Sequence, residues 1–147
     1  MLSITGLSKT YDNGVHALQG VDLSIGKGMF GLLGTNGAGK SSLMRTISTL
    51  QSADSGSITF DGIDVFKDPQ ALRQRLGYLP QDFGVYPRVS AYDLLDHMAV
   101  LKGIHNKGER KESVEGLLAH TNLYQHRSKA VSGFSGGMRQ RFGIAQA

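Results

Sequence analysis

The stretch Gly34-Thr35-Asn36-Gly37-Ala38-Gly39-Lys40-Ser41 decides how the rest of the chain is read. It satisfies the phosphate-loop pattern G-x-x-x-x-G-K-[ST] at every fixed position. Just before it, Met29-Phe30-Gly31-Leu32-Leu33 is a short apolar run of the kind a buried strand uses. Just after it, Leu43, Met44, Ile47 and Leu50 recur at helical spacing. Strand, glycine loop and helix in that order predict a binding site.

The residue types fit one chemistry. A polyphosphate needs many donors at close range and no side chain in the way. Gly34, Gly37 and Gly39 allow the backbone to take positive φ and approach an anion. The successive N–H groups of the loop, those of Thr35, Asn36 and Ala38 included, then form a nest around it. A helix starting near Lys40 adds its positive N-terminal end. Lys40 is expected to reach the β- and γ-phosphates as a point charge, and the Ser41 hydroxyl to ligate Mg²⁺. The competing reading is a glycine-rich strand–helix turn without a ligand, and the agreement of pattern and flanks argues against it. A dinucleotide fingerprint would need a third glycine at position 42, where Ser42 stands.

Composition narrows the function classes. With 147 residues the chain suits one domain and can bury a core. Its 16 basic and 12 acidic residues leave a net charge of +4. The basic residues are scattered, and no Lys/Arg stripe argues for a nucleic-acid groove. The absence of cysteine excludes disulfides and thiolate metal sites and suits a cytoplasmic protein. Residues 1–6 lack the basic region and apolar stretch of a signal peptide. No apolar run approaches the roughly 20 residues that span a bilayer, so a membrane role would act through a partner.

Along the chain, Leu2 and Ile4, then Val21, Leu23 and Ile25, alternate with polar residues and predict half-buried strands. The turn Thr10-Tyr11-Asp12-Asn13-Gly14 lies between them. Asp61-Gly62 between Ile58-Thr59-Phe60 and Ile63-Asp64-Val65 is a hairpin signal. Asp68-Pro69 predicts a capped helix start with Leu72 and Leu76 on its apolar face. Gly77-Tyr78-Leu79 is expected as another strand. From about Ser90 the pattern is helical. Ser90 and Asp93 form a box-like cap ahead of Leu94, Leu95, Met98 and Leu101. Residues 103–108 read as a polar linker before a helix carrying Val114, Leu117 and Leu118 and ending near Thr121-Asn122. Finally, Ser135-Gly136-Gly137 precedes Met138, Phe142 and Ala145 at helical spacing. Backbone N–H groups and a hydroxyl at a helix start can meet an anion, although a serine-capped loop would look the same.

In this order the segments resemble an ATP-binding cassette (ABC) nucleotide-binding domain over the whole chain. Residues 34–41 match its Walker A loop, followed by Ser42 where threonine is more usual. Tyr11 matches the aromatic residue that stacks on adenine, against the alternative of a strand-end tyrosine packed on the sheet. Gln81, after Tyr78-Leu79-Pro80, matches the glutamine that touches Mg²⁺ and the attacking water. Phe134-Ser135-Gly136-Gly137-Met138 matches the signature loop usually written L-S-G-G-Q, with phenylalanine and methionine at its ends. That form looks like the branch containing many exporters. The resemblance implies an α/β P-loop NTPase fold with an N-terminal antiparallel β subdomain and a helical subdomain. The expected divisions are a β/P-loop core over about 1–88, a helical subdomain over about 89–135 and a signature helix over 136–147.

The resemblance further implies an ATP-hydrolysing transporter subunit with ATP and Mg²⁺ as ligands. Lys40 and the loop through Ser42 would hold the phosphates, and Ser41 and Gln81 the metal. Ser135, Gly136 and Gly137 would close on the ATP of a second domain in a head-to-tail dimer. A transmembrane permease would hold the pair at the inner face of the membrane. The family's four apolar residues followed by an Asp-Glu pair do not occur within these 147 residues. The 147 residues are therefore expected to form an incomplete central sheet, to fold poorly by themselves and to hydrolyse ATP negligibly. The alternatives are a non-transport ABC ATPase of translation or DNA repair, whose usual basic insertions or coiled coils do not occur here, and an ATP-binding module without hydrolysis.

Overall fold

The computed structural model describes residues 1–80, 84 and 87–147. They form two compact units, Met1–Leu76 and Gly77–Ala147. The first is built on β1 (Leu2–Thr10), β2 (His16–Ile25), β3 (Ser55–Phe60) and β4 (Ile63–Asp64). These pair antiparallel in one sheet of order β2-β1-β3-β4. Strand alternation, shifted by one residue at an irregularity between Ile4 and Leu7, sends Ile4, Leu7, Leu18 and Ile58 to one face, where they are buried with Leu43, Val65 and Leu72. Leu43 comes from α1 (Lys40–Ile47) and Leu72 from α2 (Pro69–Arg73). A sheet face and two short helices thus share one core.

Local chemistry explains the connections. At the β3–β4 turn Asp61 and Gly62 have φ of 46° and 83°. Two successive positive φ values are those of a type I′ turn, whose twist matches the flanking strands. The Asp68 carboxylate accepts from the Ala71 N–H at 3.0 Å, and Pro69 opens α2 where its missing N–H costs nothing.

Two expected strands are absent. Residues 29–33 form no ladder, and Met29 and Leu33 are 100% and 92% exposed. An apolar run becomes a buried strand only when neighbours pair with it and helices cover it. Among the described residues, nothing pairs with this one. The same holds for Gly77-Tyr78-Leu79, which has no strand assignment. Leu50, expected on the helix after the glycine loop, lies beyond the end of α1 and is exposed.

The second unit contains α3 (Ala91–Leu101), α4 (Lys107–His120) and α5 (Gly136–Gln146), with short 3₁₀ turns at Tyr124–His126 and Val131–Gly133. Its core gathers Leu94, Leu95, Val114, Leu118, Leu123, Val131, Phe134 and Phe142. Ser90 caps α3, accepting from the Asp93 N–H at 3.1 Å and donating to its carboxylate at 2.6 Å. The α3–α4 linker is shorter than expected. Asn106 caps α4, taking the N–H groups of Gly108 and Glu109, so the helix already includes Lys107. Arg110 locks this corner, donating to Asp96 at 2.6 Å and to the Ile104 and His105 carbonyls. Among the described residues no helix is long and apolar enough to cross a membrane.

Candidate functional site

In the first unit the glycine loop runs directly into α1. Gly37 and Gly39 have φ of 85° and 82°, the left-handed backbone expected of them. Gly39 is also crowded, since a Cβ there would lie 2.2 Å from the Ala17 carbonyl oxygen of β2. The turn into α1 is therefore pressed against the sheet in a way only glycine permits. Lys40 folds back over the loop, and its ammonium donates to the carbonyls of Gly34 and Thr35, each at 2.6 Å. An ammonium has three N–H donors, so one remains.

The start of α1 differs from the other α-helix starts. Asp68, Ser90, Asn106 and Ser135 cap α2, α3, α4 and α5, whereas no side chain caps α1. Its first-turn N–H groups carry the positive end of the helix with no side-chain acceptor. Thr35, Asn36 and Ala38 are exposed along the loop, and Ser41 is exposed at the first turn. The chain thus brings together backbone donors, a helix N-terminus and a lysine ammonium, an arrangement that favours a polyphosphate.

The hydroxyls of Ser41 and Ser42 take different directions. Among the described residues nothing hydrogen-bonds the exposed Ser41 hydroxyl, a hard oxygen donor of the type Mg²⁺ accepts. Mg²⁺ usually takes one or two protein ligands and completes its shell with water and phosphate oxygens. Ser41 fits such a site. Gln81, the other expected metal contact, lies outside the described residues. No cluster of three or more His, Asp or Glu among the described residues could hold a metal by itself.

Ser42 is buried, and its Oγ lies 2.9 Å from the Tyr11 hydroxyl. Tyr11 donates to Gln51 Oε1 at 3.0 Å, which leaves the Ser42 hydroxyl to donate to the phenol oxygen. That bond is the main reason the Tyr11 pKa is lowered. Partial burial opposes it, and the Arg45 charge acts in the same direction as Ser42. Tyr11 is thus tied by its hydroxyl to the first turn of α1. Gln51 and its neighbour Asp54 are functional candidates that no local sequence pattern marks. Asp54 accepts from the Lys9 ammonium at 2.8 Å and the Thr10 N–H at 2.6 Å. These two bonds, with the Lys9 charge, hold its carboxyl below the usual carboxylate range.

In the second unit Ser135 is the N-cap of α5, its Oγ accepting from the Met138 N–H at 3.4 Å. Phe134 is buried and meets Phe142 edge-on, with ring centroids 6.1 Å apart. Arg139 braces the segment through the Ser132 carbonyl at 2.8 Å. Ser135, Gly136 and Gly137 are exposed on this anchored base.

The sequence profile of the ABC transporter family matches residues 18–147. The chain belongs to the ABC transporter family. It is 37% identical over 152 residues to the ABC transporter ATP-binding protein NatA of Bacillus subtilis (strain 168), covering 100% of this chain and 61% of NatA. It is 36% identical over 155 residues to methionine import ATP-binding protein MetN 1 of Bacillus thuringiensis subsp. konkukian (strain 97-27), covering 100% of this chain and 45% of MetN 1. This ABC chain therefore spans about half the length of the curated relatives it matches. Among solved structures it resembles the dimeric post-hydrolysis state of the ATP-binding cassette MJ0796 bound to ADP and Pi. That match has a TM-score of 0.87 and 26% identity, and covers 99% of this chain and 68% of that one. An import protein stands among the relatives, so the similarities do not support the export direction expected from the signature loop.

Proposed function

We propose that this chain supplies the nucleotide-binding surfaces of an ABC transporter ATPase that works at the cytoplasmic face of the membrane through a permease partner. The observation that carries the reading is the uncapped start of α1, where Lys40 and the glycine-loop amides converge. In this reading the amides of residues 34–42 and the Lys40 ammonium hold the phosphates of ATP. Tyr11 faces the adenine. Ser41 and Gln81 would hold Mg²⁺, which would supply positive charge against the phosphates. Because phosphoryl transfer rests on positioning and charge stabilisation, fixing the triphosphate is the main contribution of these residues. Gln81 also positions the attacking water.

Ser135, Gly136 and Gly137 serve a second copy. Their exposure on a base anchored by Phe134 suits a surface that closes on the ATP of a partner domain. The N–H groups at the start of α5 and the Ser135 hydroxyl proton are the donors. ATP then acts as the link between two head-to-tail domains; that the similar MJ0796 cassette is dimeric supports a pairing of domains. Ser135→Arg in the full-length protein tests this. The substitution removes a helix cap, worth about 1 kcal/mol, and puts a bulky cation where an anion must dock. ATP affinity of the monomer should stay within about twofold, since an exposed site elsewhere is rarely coupled to it. ATP-dependent dimers should disappear in light scattering. Normal dimers would contradict the shared-site reading.

A further inference from the structure

One short loop, the segment between α1 and β3, holds both the end of β1 just before Tyr11 and the Tyr11 hydroxyl. On the backbone side, Asp54 takes the Thr10 N–H at 2.6 Å, and its own N–H donates to the Ser8 carbonyl at 2.9 Å. On the side-chain side, Gln51 receives the Tyr11 hydroxyl at 3.0 Å. The Gln51 amide is itself oriented. Its Nε2 donates to the Ser42 carbonyl at 3.2 Å and to Thr46 Oγ1 at 3.0 Å. Thr46 is fully buried and donates to the same Ser42 carbonyl at 2.8 Å. With both amide hydrogens committed to α1, the Oε1 can only face the phenol.

We propose that Gln51 is a positioning residue that locks the Tyr11 ring against the first turn of α1 and so sets the base-dependent part of nucleotide affinity. This rests on the reading that Tyr11 faces adenine. The physical reason is pre-organisation. A tyrosine free to change rotamer must be ordered when a base docks, and that ordering weakens binding. Here the hydroxyl has two fixed partners, Ser42 and Gln51, so a χ1 change would break both bonds. Gln51 is not placed to touch phosphate. Its effect should therefore separate the base from the triphosphate.

The test compares Mg·ATP with Mg·tripolyphosphate, which carries the phosphates without a base, by calorimetry on the full-length protein. Wild type should bind both, with ATP tighter. Gln51→Leu should weaken ATP roughly three- to ten-fold, the range expected for one lost hydrogen bond, and leave tripolyphosphate unchanged. Retained tripolyphosphate binding also shows that α1 and its loop are folded in the variant. Tyr11→Phe keeps the ring and removes the hydroxyl, so it should lose a similar factor, and adding Gln51→Leu to it should lose little more. Equal weakening of both ligands would overturn the proposal by making Gln51 a support of α1. So would unchanged ATP affinity, or a full Gln51→Leu effect in the Tyr11→Phe background. A wild type that binds tripolyphosphate as tightly as ATP would overturn the base reading of Tyr11. Failure to bind either ligand would overturn the phosphate-loop reading itself.

Discussion

Lys40→Ala should abolish measurable Mg·ATP binding. The ammonium already sits over the loop, 2.6 Å from the Gly34 and Thr35 carbonyls. When phosphate oxygens are present they outcompete neutral carbonyls, because both partners of the new bonds are charged. Each such bond is worth about 1.5–3 kcal/mol, so losing two weakens binding by at least on the order of 100-fold. The fold should tolerate the change. The two carbonyls it releases are exposed to water, and the melting temperature should move by only a few degrees. Calorimetry together with a thermal melt checks both halves. Unchanged affinity would remove Lys40 from the site.

Gly39→Ala should damage both stability and binding. An alanine there must hold φ near 82°, and its Cβ would lie 2.2 Å from the Ala17 carbonyl oxygen. No rotamer relieves a clash between a Cβ and a backbone oxygen, so either β2 or the start of α1 must move. Strain at this φ and overpacking together cost roughly 2–5 kcal/mol. Gly37→Ala is the control. Its φ is 85°, yet a Cβ there meets nothing within 4 Å. It should cost only the left-handed penalty, roughly 1–2 kcal/mol. Denaturant unfolding of the two variants separates conformational strain from steric conflict. Equal destabilisation would show that the contact with Ala17 is unimportant.

What was legible in the sequence was mostly local. The Asp61-Gly62 turn, the caps at Asp68, Ser90 and Ser135, and the glycine loop each depend on a few consecutive residues, and each formed as their chemistry dictates. The strand expected over 29–33 failed because strand formation is a property of neighbours. An apolar run carries no information about whether a partner lies beside it. No sequence pattern marks Asn106 as a cap, because Gly108 in the first turn of α4 gives residues 103–108 the character of a linker. The Tyr11–Ser42 and Tyr11–Gln51 bonds join residues 31 and 40 positions apart, and no periodicity links them. Tyr11 could be singled out by its motif position, but the partners of its hydroxyl appear only once α1 is laid against the sheet.

The cap observed at Ser135 leaves room for the anion-facing role proposed for it. Its hydroxyl oxygen caps α5, as a structural serine would. Its proton, with the N–H groups of the exposed residues beside it, remains available as a donor for the proposed anion-binding role. Capping uses an acceptor lone pair, whereas anion binding uses donors, so the two do not compete.

The most direct measurement is a two-dimensional NMR titration of the backbone amides with Mg·ATP. A triphosphate held by residues 34–42 should move the resonances of Gly37, Gly39, Lys40 and Ser41 furthest, with the Tyr11 ring protons following. Saturating Mg·ATP that leaves those amides unmoved, or that shifts a different set, would contradict the phosphate site at the start of α1.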